Sequence, residues 1–175
     1  MIDVREFEPD EWQLYRRLRL TALREAPDAF GSTLAREQAY PDEQWIARLA
    51  AGAASPLDRP LVAEDGGRAV GLCWVRIDPN DASSAALYQV WVHPEVRRRG
   101  VGQRLLASAM LWAREAGART MVLSVAIGHG SAAVELYRGA GFVEVGLPAN
   151  LRPDSDILQQ HMQCNLLGRD TIPLP

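Results

Sequence analysis

The stretch Val90-Trp-Val-His-Pro-Glu-Val-Arg-Arg-Arg-Gly-Val-Gly-Gln-Arg-Leu-Leu106 constrains the fold of this chain most. An alternating apolar run ends at Pro94, a basic turn follows, and an amphipathic pattern begins at two glycines. This reads as strand, turn and helix. The first turn of a helix has N–H groups without intrahelical acceptors and carries the positive end of the macrodipole. Gly100 and Gly102 put no side chain over that backbone, so a ligand can approach it closely. Arg97, Arg98 and Arg99 add charge-assisted donors that suit phosphate. The combination predicts an anion cradle. A tight turn with solvated arginines is the plainer alternative. A dinucleotide-binding turn fits less well, because its third glycine would fall at Leu105 and it does not normally hold an arginine triplet.

The rest of the chain supplies a frame for that turn. Ile2 to Phe7 reads as a strand, and Pro9-Asp10 opens a helix to about Arg24 with Trp12, Tyr15, Leu18 and Ala22 at helical spacing. Glu25 to Gly31 breaks it, and Pro41-Asp42 starts a second helix carrying Trp45, Ile46 and Leu49. Gly52 to Pro60 reads as a loop. Leu61–Glu64 and Ala69–Ile77 flank Asp65-Gly66-Gly67-Arg68, a strong hairpin signal. Asp78 to Ser83 reads as a loop before a strand over Ala86–Val92, with Tyr88, Val90 and Val92 alternating against Leu87, Gln89 and Trp91. The helix over Val101–Ala116 is stopped by Gly117. Met121–Ile127 is almost continuously apolar and predicts a strand buried on both faces. A helix over Ser131–Ala140 and strands over Phe142–Val145 and Ile157–Leu166 complete the pattern. The order β-α-α-β-β-β-α-β-α-β-β predicts an α/β fold with a mixed sheet.

Bulk properties restrict function. The 175 residues, 47% of them hydrophobic, suit one domain over 1–166 with a loose tail over 167–175. A net charge of -3 argues against a general nucleic-acid binder, even with three arginines in a row. Cys73 and Cys164 have neither disulfide-framework nor metal spacing, and three histidines form no metal pattern. The N-terminus is charged from Asp3, and no apolar run approaches the ~20 residues of a membrane helix. We therefore expect a cytoplasmic protein without metal, nucleic-acid or membrane partners.

The sequence resembles the GNAT (GCN5-related N-acetyltransferase) family. Arg97-x-x-Gly100-x-Gly102 matches that family's acyl-CoA motif, and Trp91-Val92-His93-Pro94 is similar to its lead-in. Downstream, Ala133-x-x-Leu136-Tyr137-x-x-x-Gly141-Phe142 resembles the second family signature. The resemblance is good from about residue 60 to 166. It implies a mostly antiparallel sheet with a splayed central strand pair and about four flanking helices. It also implies acetyl-CoA as cosubstrate. Arg97, Arg98, Arg99, Gly100, Val101, Gly102 and Gln103 would hold the pyrophosphate, mostly through backbone N–H groups. Val90, Trp91 and Val92 would run along the pantetheine arm, and Tyr137 would protonate the leaving thiolate. Gly130 stands where the family usually has an asparagine, so the cofactor contact of that amide is either missing or made by Ser131 instead.

Many relatives also carry a glutamate on the strand before the cradle, and Ala86 to Val90 contain no acid. An amine of pKa near 10 is about three log units from its neutral form at pH 7, a cost of ~4 kcal/mol. A water held by backbone carbonyls and Gln89 is the favoured relay. His93 and His129 are direct alternatives, with Glu37 and Glu64 as further ones. The implied reaction is direct acetyl transfer to a primary amine of a small molecule or peptide. A non-catalytic acyl-CoA-binding module is the alternative. Asp28–Thr33, Trp45 and Pro148–Asp156 are the expected acceptor elements, with Phe30 and Trp45 either lining the pocket or in the core. Dimers are common in the family, so a homodimer is an open expectation.

Overall fold

The computed structural model describes residues 1–127 and 131–167. Its strands are β1 (Ile2–Glu6), β2 (Asp58–Asp65), β3 (Arg68–Asp78), β4 (Asp81–Val92), β5 (Thr120–Ile127), β6 (Val143–Asn150) and β7 (Leu158–Asn165). Its α-helices are α1 (Trp12–Glu25), α2 (Leu34–Gln38), α3 (Asp42–Ala54), α4 (Val101–Glu115) and α5 (Ser131–Gly139). The strands form one sheet in the order β1-β2-β3-β4-β5-β7-β6. Every neighbouring pair is antiparallel except β4 and β5, which run parallel. Fold class and element order agree with the sequence reading. The additions are α2, which Thr33 caps by accepting the Arg36 N–H, and a 3-10 turn at Pro94–Val96.

Local chemistry explains the boundaries. The β2–β3 hairpin turns on Gly66 and Gly67, both at positive φ, as that turn requires. The 78–83 segment is a tighter turn than expected, and β4 starts already at Asp81. The first helix starts at Trp12, two residues later than the Pro9-Asp10 signal. The third helix runs to Ala54, into the predicted loop.

Two apolar clusters sandwich the sheet. Helix α4 packs on one face over β1 to β4, in a cluster that also takes in Met121 and Leu123 of β5. Helices α1 and α3 pack on the other face, chiefly over β2, β3 and β4, where Tyr15, Trp45, Leu72 and Trp91 are buried. Strand β5 is covered on one face only. Met121, Leu123 and Val125 are buried while Ser124 is exposed, so the expectation of burial on both faces is wrong. The reason is that α1 and α3 do not extend over β5.

Strand β4 departs from simple alternation. Between the pairs Leu72↔Trp91 and Trp74↔Tyr88 it carries one extra residue, a β-bulge. Gln89 sits there at φ 57, a left-handed conformation that is costly for a side-chain-bearing residue. The bulge puts Tyr88 and Trp91 on one face, whereas strict alternation would have separated them. Tyr15 secures it from below, its hydroxyl donating to Gln89 Oε1 at 2.9 Å.

A buried ion pair anchors the helical layer. Glu37 and Arg19 are 1% and 4% exposed, and Arg19 Nη2 donates to Glu37 Oε1 at 2.7 Å. Arg48 reaches the other carboxylate oxygen at 3.3 Å. Burial alone would raise the Glu37 pKa; the hydrogen bonds and charge of Arg19, with the charge of Arg48, outweigh it and hold the carboxyl below its ordinary 4.5. A depressed carboxylate stabilises the fold above its unfolded pKa, and that contribution is lost as pH falls through the folded value. Removing its charge leaves Arg19 buried and unpaired. Glu37→Gln is therefore expected to cost about 3 to 5 kcal/mol in denaturant unfolding at pH 7, with a smaller deficit below pH 4. An unchanged midpoint at pH 7 would refute the anchoring role.

Candidate active site

Strands β4 and β5 pair at only three positions, Ser84↔Thr120, Ala85↔Met121 and Ala86↔Val122. Beyond Ala86 they diverge. From Leu87 onward β4 has β3 on one side and no strand on the other. Strand β5 keeps its full pairing with β7. The result is a wedge-shaped cavity of about 460 Å³. Leu87 to Val90 form one wall and Leu123 to Ile127 the other. Tyr137 and Ala133 from α5 close one side, and the segment 25–31 with Leu151, Ile157 and Gln159 frames the mouth. Arg152 joins two of these framing segments, donating to the carbonyls of Phe30 (2.8 Å) and Pro27 (3.2 Å).

The basic turn lies at the end of β4, and Arg97 borders the wedge. Arg98 (φ 62) and Gly100 (φ 82) are left-handed, and Gly100 is followed directly by the first residue of α4. A left-handed residue followed by a right-handed one points successive N–H groups to one side, a concave anion site. The first-turn N–H groups of α4 add to it. Gln103 is exposed on that turn, and Val101 is buried beneath it. Gly102 has a packing reason of its own, since a Cβ there would lie 3.1 Å from Leu136 Cδ2.

Side chains in the turn differ from the expectation of three free arginines. Arg97 donates through Nε to the Val92 carbonyl at 3.0 Å and through Nη2 to Glu25 Oε2 at 2.6 Å. Arg99 pairs with Asp65 in the β2–β3 hairpin at 2.9 Å. Only Arg98 points outward with no partner among the described residues. The cradle is therefore built of backbone, and two of its arginines brace it. The Val92 carbonyl, expected to face pantetheine, already accepts from Arg97.

Glu25 is the residue that sequence reasoning missed. Besides Arg97 it accepts from Trp91 Nε1–H at 2.9 Å. Burial would push its carboxyl up; the hydrogen bonds from Arg97 and Trp91 outweigh this and hold it below the usual carboxylate range. A signal did exist. A carboxylate in the last turn of a helix opposes the macrodipole and calls for a cationic partner.

The proposed proton carriers fall in different places. Gln89 lines the wedge beside Val90 and Tyr137. His93 does not. Its ring meets Trp91 edge-on, its Nδ1 accepts the Glu95 N–H, and it borders a separate groove with Arg17 and Arg68. The turn of the chain at Pro94 carries it out of the wedge lining, so the structure does not bring it together with Gln89 and Tyr137. Trp91 points its indole into the α1 layer, so only its backbone remains at the β4 edge. Glu37 is locked by Arg19, and Glu64 by Arg5 at 2.7 Å near β1. Neither is available as a base. Trp45 is fully buried core, while Phe30 is both nearly buried and part of the wedge wall. His129 and Gly130 lie outside the described residues; Ser131 is the first residue of α5.

Tyr137 is 6% exposed and packs edge-on to Phe142. Its hydroxyl has no hydrogen-bond partner among the described residues. Burial, then the nearby Cys73, push its pKa well above the ordinary phenol value. It stays protonated throughout the physiological range.

Comparison with known proteins places this geometry. Residues 12–142 match the model of the acetyltransferase (GNAT) family. A mycothiol acetyltransferase from Cellulomonas flavigena is 28% identical over 161 residues, covering 87% of this chain and 43% of that protein. The chain thus spans less than half the length of this curated relative. A GNAT-family acetyltransferase from Streptococcus pneumoniae superposes with a TM-score of 0.78 at 24% identity, covering 94% of this chain and 99% of the other. The yncA protein of Salmonella typhimurium, solved with its cofactor acetyl-CoA, gives 0.77 at 19% identity over 100% and 98% of the two chains. Spermidine N-acetyltransferase from Vibrio cholerae, solved with CoA and spermine, gives 0.76 at 19% identity over 94% and 95%. The structural likenesses speak to fold, and the family model to descent: this chain belongs to the GNAT acetyltransferase family.

Proposed function

We propose that this chain is an acetyl-CoA-dependent N-acetyltransferase acting on a primary amine of a small molecule or peptide. The observation that carries the proposal is the pair of open backbone segments on either side of the Pro94 turn: the β4 edge that β5 leaves after Ala86, and the first turn of α4 behind Gly100. Acetyl-CoA supplies an activated acetyl thioester, an amide-bearing arm and a pyrophosphate. The residues present fit each part. N–H groups of Arg98 to Gln103 suit the pyrophosphate. The open edge at Leu87 to Val90 suits an extended arm by strand addition. N–H groups at the bulge suit a developing oxyanion, because they are fixed before any ligand arrives. The mouth framed by residues 25–31, Leu151 and Ile157 receives the acceptor. A wedge of this size favours a small amine, and the names of the mycothiol and spermidine enzymes support the same class. Cys73 and Cys164 are buried and not joined in a disulfide, which suits a reducing compartment, and we place the enzyme in the cytoplasm.

Tyr137 is the proton donor to the departing sulfur in this reading. A high phenol pKa would weaken it against a thiolate in water. In the same apolar surroundings, burial pushes the Cys73 thiol up to about 12. A sulfur leaving group there would shift in the same direction, so donor and acceptor stay matched. Tyr137→Phe is expected to lower kcat about 100-fold or more and change acetyl-CoA affinity less than about threefold. Equal kcat in the two proteins would remove this role.

The cradle is tested separately. Gly102→Asp puts an anion at the helix start, where it favours α4 itself but repels pyrophosphate. The melting temperature should hold within a few degrees, since Leu136 can shift, while acetyl-CoA binding by calorimetry should disappear. Wild-type affinity in the variant would sink the assignment. Thiol release across an amine panel tests turnover directly. Tight acetyl-CoA binding with no turnover on any amine would point to a binding module.

A further inference from the structure

The acceptor side still needs a destination for the amine's proton. No acid lies between Ala86 and Val92 on β4, Glu37 and Glu64 are locked in ion pairs, and His93 borders the other groove. Glu25 is held by Arg97 and Trp91, and its depressed pKa makes it a weak base.

One further pair stands at the wedge. Ser124 Oγ and His161 Nδ1 lie 2.7 Å apart, directly opposite each other on β5 and β7. Strand alternation fixes where they point. Met121, Leu123 and Val125 on β5, and Gln160, Met162 and Cys164 on β7, are buried on the α4 face. Ser124 and His161 therefore project from the opposite face, which α1 and α3 leave open. Ser124 lines the wedge, on the wall across from Tyr88 and Gln89. Tyr88 is on the same face and 51% exposed.

We propose that Ser124 and His161 form the proton exit for the acceptor ammonium, an inference that rests on the N-acetyl transfer reading above. Ser124 donates its hydroxyl proton to Nδ1 of the Nε2–H tautomer. Its oxygen lone pairs are then free to accept an ammonium N–H. When that N–H bond breaks, the electron pair stays on nitrogen, the proton joins Ser124 Oγ, and the proton already on Ser124 passes to His161. The imidazolium sheds it to solvent at the exposed sheet surface. Nitrogen loses its second proton once the C–N bond has formed, and that proton restores Tyr137 after donation to sulfur. The sum is one amide, one thiol and one proton released. Ser124 would touch the acceptor, and His161 acts through it as a positioning residue.

Among the described residues, the charged and titratable groups around the wedge are Glu25, Asp28, Tyr88, Arg97 and Tyr137. The strand partners of His161, Ser124 and Val145, are uncharged, and Glu144 on β6 is ion-paired with Arg138. Among residue types, imidazole ordinarily takes up and releases a proton nearest neutral pH.

Two small probe amines separate this step from the rest of catalysis. Ethylamine is an ammonium at pH 7.5 and needs a base; methoxyamine is already neutral and does not. With saturating acetyl-CoA, Ser124→Ala and His161→Gln should each lower kcat/KM for ethylamine about 100-fold and for methoxyamine less than about threefold. The rise of the ethylamine profile with pH should move upward in both variants. Acetyl-CoA affinity by calorimetry should stay at the wild-type value, showing that cradle and fold persist. Nitrogen-15 NMR of labelled histidine should show His161 with an unprotonated Nδ1, and this signal should shift in Ser124→Ala. Equal losses for both amines, no loss for either, or a protonated Nδ1 in neutral His161 would overturn the relay while leaving the acetyltransferase reading intact; a profile moved only by Asp28→Asn would overturn it in favour of that carboxylate. Acetyl-CoA binding with no thiol release from either amine by the wild type would overturn both readings.

Discussion

The structure depends on the failure of β4 and β5 to stay paired. A parallel pair in the middle of a sheet normally runs its full length, because each unpaired N–H or C=O removed from water costs free energy. Here pairing stops after Ala86↔Val122. The bulge at Gln89 turns β4 away at the point where the gap opens, and the left-handed backbone there is held by Tyr15 from beneath and by β3 alongside. Gly71 on β3 is part of that support, since a Cβ on it would come within 2.9 Å of the Trp91 carbonyl oxygen. The strain is thus maintained by packing, and what it produces is an edge of peptide groups facing a cavity.

Glu25 links that edge to its surroundings. Its carboxylate receives Trp91 from the bulged strand and Arg97 from the basic turn, and it stands where α1 gives way to the loop framing the mouth of the wedge. Arg97 in turn holds the Val92 carbonyl. Four elements that must keep their relative positions therefore meet through two side chains. Arg99 with Asp65 does similar work between cradle and hairpin. The arginine triplet serves the cradle largely by bracing backbone, with Arg98 as its outward charge.

Much of this was legible in the residues. Periodicity and glycine placement gave the element order, the hairpin at Gly66-Gly67 and the cradle at Gly100, because these follow from local rules. Three features were not legible. The bulge is a register event between two strands, and Tyr88, Gln89 and Val90 look like ordinary alternation until β3 is placed beside them. The exposure of Ser124 depends on where α1 and α3 stop, which an apolar run cannot report. The meeting of Glu25 with Arg97, and of Ser124 with His161, joins residues far apart in the chain. His93, although close to the cradle in sequence, borders a separate groove, because the chain turns at Pro94.

In the proposed reading, the β4 edge and the turn that opens α4 receive the cosubstrate together. Amide hydrogen exchange with and without saturating acetyl-CoA measures it most directly. The account predicts slowed exchange in 87–92 and in 98–103 together, with little change in β1 and α3. Protection confined to other segments, or none in either strip at saturation, would contradict it.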